Sequence, residues 1–281
     1  MLLRALMVML YLLHCLRQRV KPWLFFQLNA DYFNETKGIF SKLDIDRFIP
    51  ATWRLNQFRD TGIEQPESFP VFVKPEWGQN SVGIRRAGSQ VQLDQIRAQR
   101  PAGNVPYLIQ EAASGSREFE VYIIPGDMEE DFSVLSVTEA INLSGEKLPV
   151  NSINNRETRY WDMTGELSEE QQQTLWQNLR SVGKFRMARF GIRANSLDEL
   201  MSGHFHIFEI NLFLPMPLVL LSDNVSLARK ISIMNNVTAR LAYVTGTVPE
   251  TGSRKSVFFR KLKVHRENRA AVTKSPVHEG A

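Results

Sequence analysis

The feature that most constrains this chain is that its short apolar strands come in adjacent pairs with helical stretches between them. Phe69–Lys74 (FPVFVK) and Ile84–Ala87 flank one loop. Tyr107–Gln110 (YLIQ) and Glu118–Ile124 (EFEVYII) flank a turn containing Ala113-Ser114-Gly115-Ser116, and Ser133–Ile141 follows. β-Branched and aromatic runs bounded by Gly, Pro and Ser clusters read as strands. Gly38–Pro50, Gln90–Gln99, Ser168–Met187 and Val225–Val244 have helical spacing, and His206–Ile210 (HIFEI) is the last strand. In the Ser168 helix, Ser168 is the cap, Glu169 and Glu170 fill the first turn, and Leu175, Trp176, Leu179, Val182 and Phe185 form the apolar face. Leu55–Ser68, polar and broken by Gly62 and Pro66, reads as a loop. Paired strands separated by helices predict an α+β fold with antiparallel sheets.

Composition narrows the function classes. The chain has 281 residues, 43% of them hydrophobic and 23% charged, enough for a sizeable core in one large domain or two small ones. One cysteine, Cys15, excludes a disulfide framework and a Cys-rich zinc site. Five scattered histidines argue against a His-built metal centre. The net charge of +4 is mild, and its basic excess crowds one end: Arg254, Lys255, Arg260, Lys261, Lys263, Arg266 and Arg269. That is a basic tail, with disorder expected from Pro276 onward, and nucleic acid is not an expected partner of the core.

The run Ala5–Leu13 (ALMVMLYLL) lies between Arg4 and the basic residues Arg17, Arg19 and Lys21. It is shorter than the ~20 residues that span a bilayer. Cys15-Leu16-Arg17-Gln18 is a poor cleavage site. The expectation is a cytoplasmic protein whose N-terminal helix packs on the domain, or is the remnant of a lost segment. Residues 1–26 offer a peripheral membrane contact as the sharper alternative.

Four stretches carry chemistry. In FPVFVKP, Lys74 ends a buried strand and Pro75 turns the chain out of the sheet into EWGQNSVG. Backbone N–H groups and the Ser81 hydroxyl of such a loop can fold over phosphates, with Lys74 as a point cation. In YLIQEAASGSREFEV, a strand end delivers Gln110 and Glu111, and Glu118 follows the turn; an adenine needs an apolar slot with polar edges, and a ribose needs a carboxylate. Glu118 and Glu120 alternate with Phe119 and Val121, which is also what a half-exposed strand looks like. In HIFEIN, Glu209 and Asn211 share a face, with Ile207 beside them and Phe208 and Ile210 opposite. Two hard oxygens on an otherwise apolar strand suit Mg²⁺, which keeps water and substrate phosphates as its other ligands. In MARFGIR, Arg189 and Arg193 share a face if the segment is a strand, and arginine in a cleft stabilises charge on a transferring phosphoryl group. Taken singly, the strand-end lysine and the arginine pair are most simply solvated surface charges.

In this order and spacing the four stretches resemble the ATP-grasp fold, in its D-alanine–D-alanine ligase branch, over Phe69–Asn211. The resemblance implies two α+β subdomains whose antiparallel sheets sandwich ATP. It implies that Lys74 contacts the phosphates with Ser81 above them, that Gln110 and Glu111 line the adenine, and that Glu118 takes the ribose. Arg189 would face the reacting phosphate, and Glu209 and Asn211 would hold Mg²⁺. The implied activity is ATP-dependent joining of a small-molecule carboxylate to an amine or similar nucleophile through an acylphosphate. The chain would then divide into a reduced segment with an apolar helix (1–68), an ATP-grasp domain (69–245) and a basic, partly disordered tail (246–281).

Three departures stand out. Gly191 occupies the position of a metal-binding Asp in the branch, with Asn195 and Asp198 as the nearby substitutes. Only residues 1–68 precede the lysine strand, where ligases of the branch carry a full domain. The loop after Glu-x-Asn reads Leu-Phe-Leu-Pro-Met-Pro instead of a Pro-Gly type, so D-alanine specificity does not carry over. The alternative function is a non-catalytic nucleotide-binding module, with membrane-surface association.

Overall fold

The computed structural model describes residues 2–78, 81–100, 106–249 and 255–273. Gln79 and Asn80 of the phosphate-loop reading, Arg254 of the basic tail and the stretch from Pro276 lie outside the described residues.

Strands β1 (Gln57–Asp60), β2 (Val71–Pro75), β3 (Arg85–Ala87) and β4 (Tyr107–Glu111) form one sheet in the order β1-β4-β2-β3. Strands β5 (Arg117–Pro125), β6 (Phe132–Asn142), β7 (Thr158–Asp162), β8 (Ala188–Ala194) and β9 (His206–Asn211) form a second, ordered β7-β6-β5-β8-β9. Every pairing between these strands is antiparallel, as the strand pattern predicts, and a lone parallel bridge joins Arg54 to Ile207 of β9. The helices are α1 (Leu2–Gln18), α2 (Lys42–Asp46), α3 (Gln90–Ala98), α4 (Glu169–Arg180), α5 (Leu197–Ser202), α6 (Leu227–Gly246) and α7 (Val257–Thr273).

The apolar faces decide which sides of the sheets are left for chemistry. Helix α3 lays Leu93 and Ile96 on Val71, Val73 and Ile109. Strand parity then turns Phe72, Lys74 and Gln110 to the other face of the first sheet, where Phe72 pairs with Gln110. In the second sheet Phe119, Val121, Phe190 and Ile192 pack against Leu175 and Leu179 of α4 and Leu200 of α5. Each fully buried Leu or Phe of this kind contributes roughly 1.5–3 kcal/mol. Glu118, Glu120, Tyr122, Arg189 and Arg193 therefore share the opposite face. Helix α6 covers its apolar part, with Val237 and Leu241 against Tyr122, Ile124 and Met187. The polar part is left facing the first sheet across a cleft.

Local signals account for most element ends. Ser168 and Gln171 form a reciprocal capping box on α4, and Ser41, Ser89, Ser196 and Ser226 cap α2, α3, α5 and α6. α1 packs on α6, where its Tyr11 hydroxyl lies 3.2 Å from Thr245 Oγ1 and a ring nitrogen of His14 lies 3.1 Å from Asn235 Oδ1. Its other face leaves Leu2, Val8, Met9, Leu12 and Leu16 exposed. Among the described residues no helix is long and apolar enough to cross a membrane.

Several sequence readings need correction. The stretch read as a loop over Leu55–Ser68 contains β1, which has one apolar residue, Phe58, and is held by its pairing with β4. The Gly38–Pro50 helix contracts to α2, because Gly38 sits at a positive φ of 68° in the preceding turn. The Ser168–Met187 helix stops at Arg180, although Val182 and Phe185 beyond it remain in the core. The basic tail includes α7, which buries Val257 and Lys261 and sets the Lys261 ammonium 5.0 Å from the centre of the Phe213 ring. On β9 the register shifts against β8: Gly191 pairs with Glu209, but Ile192 pairs with Ile207. That extra residue puts Ile207 and Ile210 together in the core and turns Phe208 into the cleft, the reverse of simple alternation.

Candidate functional site

Lys74, Ser81, Gln110, Glu111, Glu118, Arg189 and Glu209 all line one cavity between the two sheets. Asn211 lines the adjoining cavity and donates from Nδ2 to Glu209 Oε2 at 3.0 Å. Residues more than a hundred positions apart are thus brought together as the sequence reading requires.

On the first sheet, Lys74 is buried at the end of β2. Its Nζ donates to Gln110 Oε1 at 2.9 Å and to the Phe208 carbonyl at 3.3 Å. Gln110 Nε2 donates to the same carbonyl at 3.1 Å, so one β9 carbonyl ties the sheets together. Burial pushes the Lys74 ammonium down to about 7, helped by Lys42 and opposed by Glu209 and Asp46. The Glu111 side chain accepts from Ser68 Oγ at 3.0 Å. Ser81, at a positive φ of 59°, donates to the Asn151 carbonyl at 2.9 Å, tying the loop after β2 to the segment between β6 and β7.

On the second sheet, Glu118 and Glu120 are both buried, which excludes the half-exposed strand reading. Each carboxylate has its own arginine, because an unpaired charge at that depth would be costly. Arg193 Nη2 donates to Glu118 Oε2 at 3.1 Å, and Arg189 Nε lies 2.9 Å from Glu120 Oε2. Burial raises the Glu118 carboxyl, with Arg193 opposing. Burial raises Glu120 to about 8, against the pull of Arg189. Glu209 moves the other way: burial opposes its ionisation, but Lys42, at 3.5 Å, and Lys74 outweigh it and lower its pKa.

Gly191 sits between Glu120 and Glu209 in the row across β5, β8 and β9. A Cβ there would stand 2.5 Å from Cζ of Phe208. The space that a 191 carboxylate would use is therefore filled by a phenyl ring. Asn195 and Asp198 do not replace it. Neither lines the cavity, and Asn195 is engaged with Glu199 and the Ser116 N–H. Among the described residues no three His, Cys, Asp or Glu side chains gather to hold a metal. Glu209 and Asn211 supply two oxygens on one edge, a set that fits a Mg²⁺ completed by phosphate and water.

No protein-family model and no curated protein matches the sequence. Solved structures do match. The VanG D-Ala:D-Ser ligase of Enterococcus faecalis superposes with a TM-score of 0.51 at 15% identity, over 73% of this chain and 61% of that one. The chain has the ATP-grasp fold. Weaker likenesses are the D-alanine–D-alanine ligase of Bacillus anthracis (TM-score 0.47, 14% identity, 81% of this chain and 69% of that one) and the ATP-grasp ligase PsnB with a phosphomimetic precursor variant, Mg and ADP (TM-score 0.39, 16% identity, 64% and 48%).

Within the ATP-grasp cleft, sequence reasoning missed Glu120, Lys42 and Phe208. Glu120 carries a usable signal, since it lies two residues beyond Glu118 on one face of a strand. Lys42 has none: α2 brings it beside Glu209 from 167 positions away in a short amphipathic turn. Phe208 reads as a core residue until the register shift turns it over.

Proposed function

We propose that the protein is an ATP-dependent ligase that joins a carboxylate to an amine through an acylphosphate. The observation that carries this reading is the convergence of Lys74, Glu118, Arg189 and Glu209, from four separate strands, on one cavity of an ATP-grasp fold. Ala113, Ala140, Ile153 and Leu218 supply apolar wall for an adenine, with Gln110 and Glu111 at its polar edge. Glu118, oriented by Arg193, accepts from the ribose hydroxyls. Lys74 exchanges its bonds to Gln110 and Phe208 for phosphate oxygens, and the ionic partner restores its charge. Glu209 and Asn211 would hold Mg²⁺, which neutralises phosphate charge.

In the reaction, a carboxylate oxygen of the acid attacks the γ-phosphorus, and the P–O bond to ADP breaks with its electron pair leaving on ADP. The amine lone pair then forms the C–N bond, the C–O bond to phosphate breaks, and the amine proton passes to solvent. Arg189 offsets the charge that builds during transfer, and positioning supplies most of the remaining acceleration. The test is ADP release with Mg²⁺ against a panel of carboxylic acids and amines. Acid-dependent release is expected in the wild type and its loss in Lys74→Ala and Glu209→Ala; unchanged release in both variants would refute the assignment.

One observation favours a second reading, a nucleotide-binding module without turnover. The Phe208 ring over Gly191 leaves Glu209 as the one carboxylate of the proposed metal pair. That reading expects a thermal shift with ATP and no ADP release under any substrate mixture.

A further inference from the structure

A second cavity, of about 630 Å³, adjoins the first. It lies within the roughly 300–1,000 Å³ typical of small-molecule sites. Its walls come from Tyr11 of α1, from Phe25 and Phe26 of the Pro22–Gln27 turn, and from Phe213 and Met216 of the loop after β9. This is the Leu-Phe-Leu-Pro-Met-Pro loop, the departure from the Pro-Gly type noted in the sequence. Ile153, Arg189 and Leu218 line both cavities, so the two meet at Arg189.

The charged groups of this second cavity are of one sign, and its neutral polar groups are engaged: Asn211 Nδ2 donates to Glu209 Oε2 at 3.0 Å. The Tyr11 hydroxyl is already bonded to the Pro22 carbonyl at 3.0 Å, and Thr238 Oγ1 to the Met234 carbonyl at 2.7 Å. No Asp or Glu among the described residues lines it, whereas Arg4 and Arg189 do. Arg189 retains capacity: Nη1 donates to the Met216 carbonyl at 3.2 Å, and Nη2 makes no protein hydrogen bond among the described residues. From Arg189, the lining leads to Val8, Leu12 and Trp23, which are 58, 47 and 59% exposed. An occupant with its head at Arg189 therefore meets an apolar path that opens to solvent.

We propose that this cavity is the subsite for the acid substrate, and that the acid is a carboxylate on a long unbranched hydrocarbon chain, as in a fatty acid, with its head against Arg189. An ammonium head would face two arginines with no acid to pair it. A neutral alcohol would bring no anion to the Nη2 side of Arg189, whose Nε already faces Glu120 Oε2 at 2.9 Å. The proposal rests on the ligase reading for its chemistry, since the head it places at Arg189 is the oxygen nucleophile of the first step. It rests on the cavity alone for its binding.

The test titrates the full chain with dodecanoate below its micellar concentration, following Trp23 fluorescence and heat, with dodecanol and dodecylamine as head-group controls. Dodecanoate is expected to bind, the controls to bind at least roughly tenfold more weakly, and each two-carbon extension to tighten binding on the order of tenfold. The double variant Val8→Glu/Leu12→Glu, at exposed positions that leave the core intact, is expected to lose roughly tenfold or more in affinity. Equal binding of all three head groups would overturn the carboxylate assignment. So would affinity for anionic phospholipid vesicles that the double variant abolishes, with no binding of free dodecanoate; the rim would then be a membrane contact. Parallel ADP-release assays separate the two claims. Dodecanoate binding without ADP release keeps the subsite and removes the ligase, whereas release driven only by short polar acids keeps the ligase and removes the subsite.

Discussion

Replacing Lys74 with Met tests the electrostatics of the cleft without any knowledge of the substrate. The ammonium is buried, and its pKa falls to about 7 in the folded protein. In the unfolded chain a lysine titrates near 10.4. Below both values the folded state carries the full penalty of a buried charge, roughly 4–5 kcal/mol from a separation of about 3.5 in pKa. Between them the unfolded chain binds the extra proton, so the stability of the wild type rises with pH through that window. From pH 6 to pH 9 the gain is roughly 2–3 kcal/mol. Methionine has no such dependence, but it leaves Gln110 Oε1 without its donor, at a cost of about 1–3 kcal/mol at every pH. Lys74→Met is therefore more stable than the wild type at pH 6 and loses that advantage by pH 9. Urea denaturation of both proteins at the two pH values reads the double difference directly. An identical stability gap at pH 6 and pH 9 would show that the lysine does not lie in a desolvated cleft.

Three further outcomes follow from the same geometry. Gly191→Ala drives a Cβ into the Phe208 ring and costs about 1–3 kcal/mol in denaturant titration, and adding Phe208→Ala removes most of the overlap, so the double variant departs from additivity. Asp60→Ala removes the shared carboxylate of Arg97 and Arg100, leaving Arg97 only the exposed Asp94 as an ionic partner, and lowers unfolding stability by roughly 3–5 kcal/mol; a loss under 1 kcal/mol would mean the pairs are solvated. Burial opposes Asp60 ionisation, but the two arginines outweigh it and lower its pKa, so this contribution stands above the ordinary carboxylate range and fades as pH falls below it. Glu209→Gln removes the Mg²⁺ dependence of an ATP-induced thermal shift, and a shift that keeps its Mg²⁺ dependence would place the metal elsewhere.

The strand-end polar groups were legible because a carboxylate or ammonium in an apolar strand must be paired or used, whatever the fold. Glu209 and Asn211 stand out in that way, Lys74 and Glu118 stand out only through the order and spacing of the four stretches, and Ser168 marks a helix start. Strand β7 has a local signal in the β-branched and aromatic residues Thr158, Tyr160 and Trp161. Strand β1 was not legible, because QFRD has no period and owes its conformation to β4.

Local chemistry along the chain decided the antiparallel α+β architecture and which strands carry charged and polar side chains, because propensity, capping and the cost of burying charge act over a few neighbours. Tertiary packing alone decided the rest. A register shift of one residue put Phe208 over Gly191, α2 brought Lys42 to Glu209, and α1 closed an apolar cavity beside Arg189. These depend on where separate segments meet in space, and no local sequence period records that.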